Sequence, residues 1–464
     1  MWSKKNCLLT FAAVLTAVLA GYNASAQQVL TLRQAIDTAV ANYGTIKAKA
    51  SYTAAAREQV SQARRDYLPN FNVGVQQDYG TINGQNGPMY GFGGLSAASA
   101  GPALDHQNWN AAFGALYLTN INWDFFAFGR AKEKVKTAVA AATQNDKDWQ
   151  QEIFKHKIKV AATYLNLVAA QQLTRSYEEN LQRADTIRRV VVTRVLNGLI
   201  AGVDSSQANA EYSSARIALT KAKDFEQEQS NQLAQLLGIA PQSFTVDTTY
   251  MTRIPVLPQT NFNPDSHPLL QWYKSRIALS DEQTKYAKTL YYPAFTLVGL
   301  LQTRGSGFGA GYVADQTDFS HGYWDGVKPT RTNYLLGVGV TWNITQPFRI
   351  SRQVRAQQQI SKGLQYEYEL AGQQIRAQLD LSDIKIKNAL DNYREVPVQV
   401  KAASDAYLQK SVLYKNGLTN LVDVTQALYV LIRAETDKDI AYSNVWQALL
   451  LKAAAVGDFS IFEN

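Results

Sequence analysis

Four histidines, His106, His156, His267 and His321, are the side chains that would first suggest metal binding or catalysis, and their spacing argues against both. No two stand at the short helical or turn intervals that let imidazoles share one ion. A glycine-rich loop closed by Lys-Ser or Lys-Thr, which would cradle a phosphate, is also missing from the sequence. His156 falls in a long helical stretch and His267 stands between Pro264 and Pro268, so both read as packing or capping residues; His106 and His321 fall in loops. Catalysis has no visible seat, and neither a metal nor another cofactor is expected. Any work done by the protein must then draw its energy from elsewhere.

Two aspartates are placed with more purpose. Asp204 and Asp423 each stand a few residues beyond an Asn-Gly pair, Asn197-Gly198 and Asn416-Gly417, that closes a long helical pattern. Glycine enters the left-handed conformation that stops a helix, and an aspartate in the first turn of the next helix faces the positive end of its dipole. Capping alone would explain such residues singly. Their neighbourhood, however, is written twice: Asn197-Gly198-Leu199, Val203-Asp204 and Gln207-Ala208 recur as Asn416-Gly417-Leu418, Val422-Asp423 and Gln426-Ala427, every pair 219 residues apart.

The same offset joins Gly238 to Gly457 and Trp123 to Trp342, while Pro69-x-Phe71 recurs as Pro293-x-Phe295. A period this long is far beyond the 20 to 50 residues of solenoid repeats, so the chain holds two copies of a large unit. The copies are read over residues 27–245 and 264–464 of a mature chain spanning 27–464. Strands are expected at about 69–80, 109–124, 293–304 and 333–345, and long helices at about 130–196, 203–237, 349–415 and 421–456. Each of the longest helices would reach roughly 100 Å, about three times a bilayer core. Leu173, Tyr177, Leu181, Ala184, Ile187, Val191 and Val195 step by fours and threes, a seam suited to coiled-coil packing. Pro397 removes a backbone donor inside the second long helix, where a kink or a break into two pieces is expected.

The strands carry a second pattern. Phe71, Val73, Val75 and Tyr79 alternate with Asn70, Asn72, Gln76 and Asp78; Trp109, Phe113, Tyr117, Ile121 and Trp123 lie opposite Asn110, Asn120, Asn122 and Asp124. In the second copy Tyr334, Leu336, Val338, Val340, Trp342 and Ile344 share a face, whereas residues 294–302 are too apolar for theirs to be read. Ten-residue strands with one greasy face and aromatics towards both ends suit a membrane barrel, and the loops 80–108 and 305–332, rich in Gly, Ser, Asn and Tyr, suit its outer connections. Four strands cannot close, and open edges are not tolerated in lipid. Two protomers would give a side-chain-filled barrel of eight strands; three give twelve and leave a lumen.

At the N-terminus Lys4 and Lys5 precede an apolar run from Leu8 to Ala20 and then Ala24-Ser25-Ala26, a cleavable secretory signal over residues 1–26. The only cysteine, Cys7, would leave with it, so no disulfide or lipid anchor is expected in the mature protein. Loss of Lys4 and Lys5 lowers the formal charge from +8 to +6, spread without a basic tract, which gives no support to nucleic-acid binding. No later stretch is apolar enough for a transmembrane helix.

Over essentially its full mature length the chain resembles the TolC-like outer-membrane efflux protein family. The likeness is carried by the duplicated Asn-Gly-Leu...Val-Asp...Gln-Ala tips, the Leu68-Pro69-x-Phe71 strand entry, and the junctions from Trp123 to Arg130 and from Trp342 to Arg349. The second junction departs from the family pattern, with Gln346-Pro347-Phe348 in place of an aromatic-glycine run. The resemblance implies a mixed α+β membrane protein: a homotrimer in outer-membrane lipid, sharing a twelve-stranded barrel continued by a periplasmic tunnel of helices. It would be the exit duct of a tripartite efflux or type I secretion system, served by a periplasmic adaptor (membrane fusion) protein and an inner-membrane pump.

For the site residues the resemblance implies a periplasmic gate at Asp204, Tyr414, Thr419, Asp423 and Gln426. Asp423 would line the narrowest ring, with Gln426 where a second acidic residue is usual, so cation blockade is expected to be weaker. Asp204 would latch the closed tip to Tyr414 on the neighbouring hairpin, with Thr419 standing where the family has an arginine. Gly198, Leu199, Gly417 and Leu418 would form the tips on which adaptor hairpins dock. A general porin and a free-standing periplasmic coiled-coil envelope protein are the alternatives. The first needs many more strands, and the second leaves the alternating strands unexplained.

Overall fold

The computed structural model describes residues 29–84, 103–251, 253–255 and 262–463. The leader at 1–26 lies outside the described residues, as do residues 85–102 of the loop between the first two strands. In chain order the elements are α1 (Leu32–Asn42), α2 (Gly44–Arg65), β1 (Asn70–Thr81), β2 (Ala111–Phe126), α3 (Arg130–Leu196), α4 (Gly202–Leu237), α5 (Pro268–Thr289), β3 (Ala294–Ser306), α6 (Tyr323–Val327), β4 (Arg331–Thr341), α7 (Gln346–Lys415), α8 (Leu421–Val456) and α9 (Ser460–Glu463). They fall into two compact units, one of residues 54–143 and 276–364, the other of the remaining residues.

The first of these units holds one antiparallel sheet in the order β1-β2-β3-β4. Its register settles the facing that sequence left open: Leu297 pairs with Trp123 and Val338, and Leu301 with Thr119 and Tyr334. Phe295, Leu297 and Leu301 therefore continue the greasy face. Val298 and Leu300 stand on the other face beside Asn122 and Asn120, which is why β3 showed no alternation. All four charged residues of the strands, Asp78, Asp124, Arg304 and Arg331, share that second face. β1 is exposed along its whole length and β4 along nearly all of it, so both outer strands present unpaired backbone edges.

The duplication reaches atomic detail at the strand ends. The Trp123 indole N–H donates to the Tyr67 carbonyl at 2.8 Å, and the Trp342 indole N–H to the Tyr291 carbonyl at 3.2 Å. Each tyrosine stands two residues before the duplicated proline, so one tryptophan pins the strand entry to the strand exit in both copies. β4 stops at Thr341, leaving Trp342 and Ile344 beyond the ladder. α7 then begins at Gln346 rather than Arg349, because Pro347 falls in the first turn, where its missing N–H costs nothing.

The loop after β3 is more structured than its composition implies. Its short helix α6 lies on the greasy face: the Tyr117 hydroxyl donates to the Val327 carbonyl (3.0 Å), and the Tyr323 hydroxyl to Gln77 Oε1 (2.9 Å). Gly305 permits the approach, since a Cβ there would stand 2.6 Å from the Lys328 carbonyl oxygen.

In the other unit the largest core gathers Leu32, Ile36, Val160, Tyr164, Leu165, Leu233, Leu237 and Leu449. Thr31 opens α1 with a reciprocal cap, its hydroxyl accepting from the Gln34 N–H and the Gln34 carboxamide from the Thr31 N–H. The duplicated Gly238 and Gly457 close α4 and α8 with φ of 68° and 81°. His156 is buried, stacked on Tyr43, and its Nε2–H donates to the Leu236 carbonyl. His267 Nδ1 accepts from the Leu269 N–H at 3.2 Å, capping α5, while Nε2–H donates to the Ala454 carbonyl.

Pro397 does not divide the second long helix: α7 runs unbroken over 70 residues. Packing on both sides of the proline outweighs the single lost donor. Ile386 and Ala389 meet Val445 and Ala448 before it, and Ala403 meets Leu431 and Ala434 after it. Among the described residues no helix is long and apolar enough to cross a membrane.

Candidate functional site: the paired helix tips

The sequence places its two Asn-Gly turns at the ends of α3 and α7, and both turns fold alike. Gly198 and Gly417 take φ of 68° and 73°. The N–H of Leu199 donates to the Arg194 carbonyl and that of Gly198 to the Val195 carbonyl; Leu418 donates to Leu413 and Gly417 to Tyr414. This doubled bonding answers the last carbonyls of each helix and requires the left-handed residue that only glycine adopts without strain. Leu199 and Leu418 do not pack the turns they belong to, being 70 % and 73 % exposed. With Leu196, Val203 and Val422, also exposed, they leave both tips apolar.

Behind the turns a small core of Val191, Ala208, Tyr414, Leu421 and Val424 joins α3, α4, α7 and α8. Arg194 fastens one hairpin to the other. Its guanidinium donates to the carbonyls of Tyr414 (3.1 Å) and Lys415 (2.5 Å) and lies 5.5 Å from the centre of the Tyr414 ring. A cation here meets the negative end of α7. On the far side the Tyr429 hydroxyl donates to Glu211 Oε2 at 2.5 Å, tying α8 to α4; that bond, with burial, pushes the phenol up to about 12.

Asp423 sits in the first turn of α8, where its N–H donates to the Asn420 capping side chain. Its carboxylate accepts from the Thr419 hydroxyl at 2.6 Å and from Lys410 Nζ at 3.1 Å. These two donors hold the carboxyl below the usual aspartate range. Gln426, one turn on, is exposed. Asp204 occupies the first turn of α4, whose cap residue Ala201 offers no side-chain bond. Tyr414 is buried and its hydroxyl has no hydrogen-bond partner. Burial raises its pKa first, the nearby Asp204 charge raises it further, and Arg194 opposes them.

Tyr414, Asp204 and Arg194 thus form one group and Thr419, Asp423 and Lys410 another. Within the protomer no bond joins Asp204 to Tyr414, and Thr419 is engaged by Asp423. Arg194 and Lys410 lie outside the duplicated motif. Arg194 had a readable signal as the basic residue in the last turn of α3. Lys410 had none, since its partner lies 13 residues away across a turn.

Residues 35–239, the greater part of the first repeat, match the family described as "Outer membrane efflux protein". Among curated proteins no sequence matches the chain. Solved structures match it nearly end to end. The outer membrane protein VceC of Vibrio cholerae aligns with TM-score 0.71 at 16% identity, covering 92% of this chain and 96% of that one. The CmeC outer membrane channel of Campylobacter jejuni aligns at 0.73 and 15%, covering 92% and 85%. The open-state MtrE outer membrane channel of Neisseria gonorrhoeae gives 0.72 and 14%, covering 92% and 89%. The fold, helix-rich with four strands in one sheet, is the fold of these outer membrane channels, and the first repeat is similar to the efflux protein family.

Proposed function

We propose that three copies of this chain form an exit duct that passively carries solutes delivered by an inner-membrane pump and a periplasmic adaptor protein, either in tripartite efflux or in type I secretion. The observation that carries this reading is the four-stranded sheet with a greasy face and two unpaired outer strands, β1 and β4. In lipid such edges must find partners, and β1 of one protomer meeting β4 of the next satisfies them all when twelve strands close around a lumen. The greasy face then meets lipid, and the face bearing every charged strand residue lines the pore. The long helices extend the duct into the periplasm, and a signal at 1–26 directs the chain there.

At the periplasmic end the gate consists of Asp204, Tyr414, Thr419, Asp423 and Gln426, with Arg194 and Lys410 as supports. Asp423 is the charge presented to the narrowest ring. The exposed apolar tips around Gly198, Leu199, Gly417 and Leu418 receive the adaptor. No nucleic acid and no cofactor enters this function.

Cysteines introduced singly into β1 and β4 of the same chain test the assembly. Disulfide-linked trimers are expected in membranes, and cross-links confined to one chain would overturn it. For docking, a cysteine at Leu199 should capture an adaptor in cells; failure to do so while control positions elsewhere in the adaptor complex react would remove that assignment. For the latch, Tyr414→Phe and Asp204→Ala should raise the resting single-channel conductance, and unchanged conductance would exclude these residues from the gate.

A further inference from the structure

Arg304 and Arg331 stand directly opposite one another across β3 and β4. Like charges in cross-strand register repel and weaken a sheet, so the pairing works against folding unless a partner or a function compensates. No carboxylate among the described residues pairs with either guanidinium. The nearest help is neutral: the Gln302 carboxamide, turned so that its oxygen faces Arg304, accepts from Nε and Nη2. Both arginines are exposed.

Their row in the ladder is Gln76, Leu116, Arg304 and Arg331. It lies at the end of the sheet next to the β3–β4 loop, opposite the end where β2 and β4 lead into α3 and α7. The only carboxylate of the strands near this row is Asp78, two residues beyond Gln76 on β1, and it already accepts from the Gln76 side chain at 3.0 Å. The carboxylates of the β3–β4 segment are held within it: Asp315 accepts from Thr317, Asp318 from the Gly311 N–H and Asp325 from Ser320.

We propose that Arg304 and Arg331 form an anion-recruiting ring at the outer mouth of the pore, which gives the exit a preference for small solutes bearing carboxylate, phosphate or sulfate groups. This rests on the trimeric reading above, in which the charged face lines the lumen. Three protomers then set six arginines against three aspartates in one narrow band. A channel wall of low dielectric focuses such a field, and rings of arginine are a physical basis for anion selectivity.

The full-length trimer in planar bilayers of phospholipid alone, under a potassium chloride gradient, provides the test. Against the wild type, R304Q/R331Q should lower the chloride-to-potassium permeability ratio by about threefold or more, an order-of-magnitude expectation for removing a focused charge ring. R304K/R331K should keep the ratio, and Asp78→Asn should raise it. An unchanged ratio in R304Q/R331Q channels that still give full conductance steps would overturn the proposal. So would a change that appears only when lipopolysaccharide is added, since that would place the arginines against lipid phosphate. A wild-type protein that inserts yet never conducts would instead defeat the channel reading itself.

Discussion

Arg194→Met would cut the fastening between the two helix tips. The guanidinium makes two hydrogen bonds to carbonyls in the last turn of α7, at 3.1 and 2.5 Å, and covers the Tyr414 ring. A charged donor contributes about 1.5–3 kcal/mol per bond when water is excluded. Arg194 is half-exposed and its two bonds share one group, so the pair is discounted to about 2 kcal/mol. At about 1.4 kcal/mol per tenfold, the opening equilibrium of the tip should shift by about 30-fold. Hydrogen exchange read by mass spectrometry would show it as faster exchange at the amides of Asn416, Gly417 and Leu418, which close the turn. Arg194→Lys should fall between, because an ammonium cannot fork to two carbonyls. Exchange at those amides that stays at the wild-type rate in Arg194→Met would refute the fastening.

Three further outcomes are expected. Because Thr419 and Lys410 hold the Asp423 carboxyl below its usual range, cation blockade in bilayers should persist as pH falls to the ordinary aspartate value of about 3.9, where an unperturbed carboxyl is half protonated, and Lys410→Gln with Thr419→Val should make it fade at higher pH than in the wild type. Burial lowers the pKa of His156 and His267, so stability is complete above the free imidazole value of about 6.5 and falls as pH drops below it, where the unfolded chain binds protons that the folded one refuses; thermal melting at pH 7.5 and 5.5 should show the loss, and His267→Gln should reduce it. Leu233→Ala, at a fully buried position of the largest core, should cost about 2–5 kcal/mol in denaturant unfolding while leaving pore selectivity untouched.

The duplication made most of the architecture legible. Repeated Asn-Gly pairs marked both helix ends, and the repeated tryptophans marked both strand exits, because these features need specific residue types at fixed positions. The facing of β3 was not legible, since Val298 and Leu300 put apolar side chains on the face that carries the charged strand residues, and only the ladder register resolves them. The continuity of α7 through Pro397 was lost for a different reason: local propensity predicts a break that packing against α8 overrides. Contacts such as Arg194 to the end of α7, or Arg304 opposite Arg331, join residues far apart in sequence or on separate strands, and no spacing rule anticipates them. The short helix α6 is not legible in the sequence, because its glycine- and aromatic-rich composition reads as loop until Gly305 admits it against the sheet.

The shared barrel is tested most directly by weighing the conducting particle. Native mass spectrometry of the detergent-solubilised protein, on the same preparation that gives single-channel steps, should find three chains and no conducting species of lower order. A particle holding one chain that still passes ions would mean that four strands seal their own edges, and the trimeric duct would have to be abandoned.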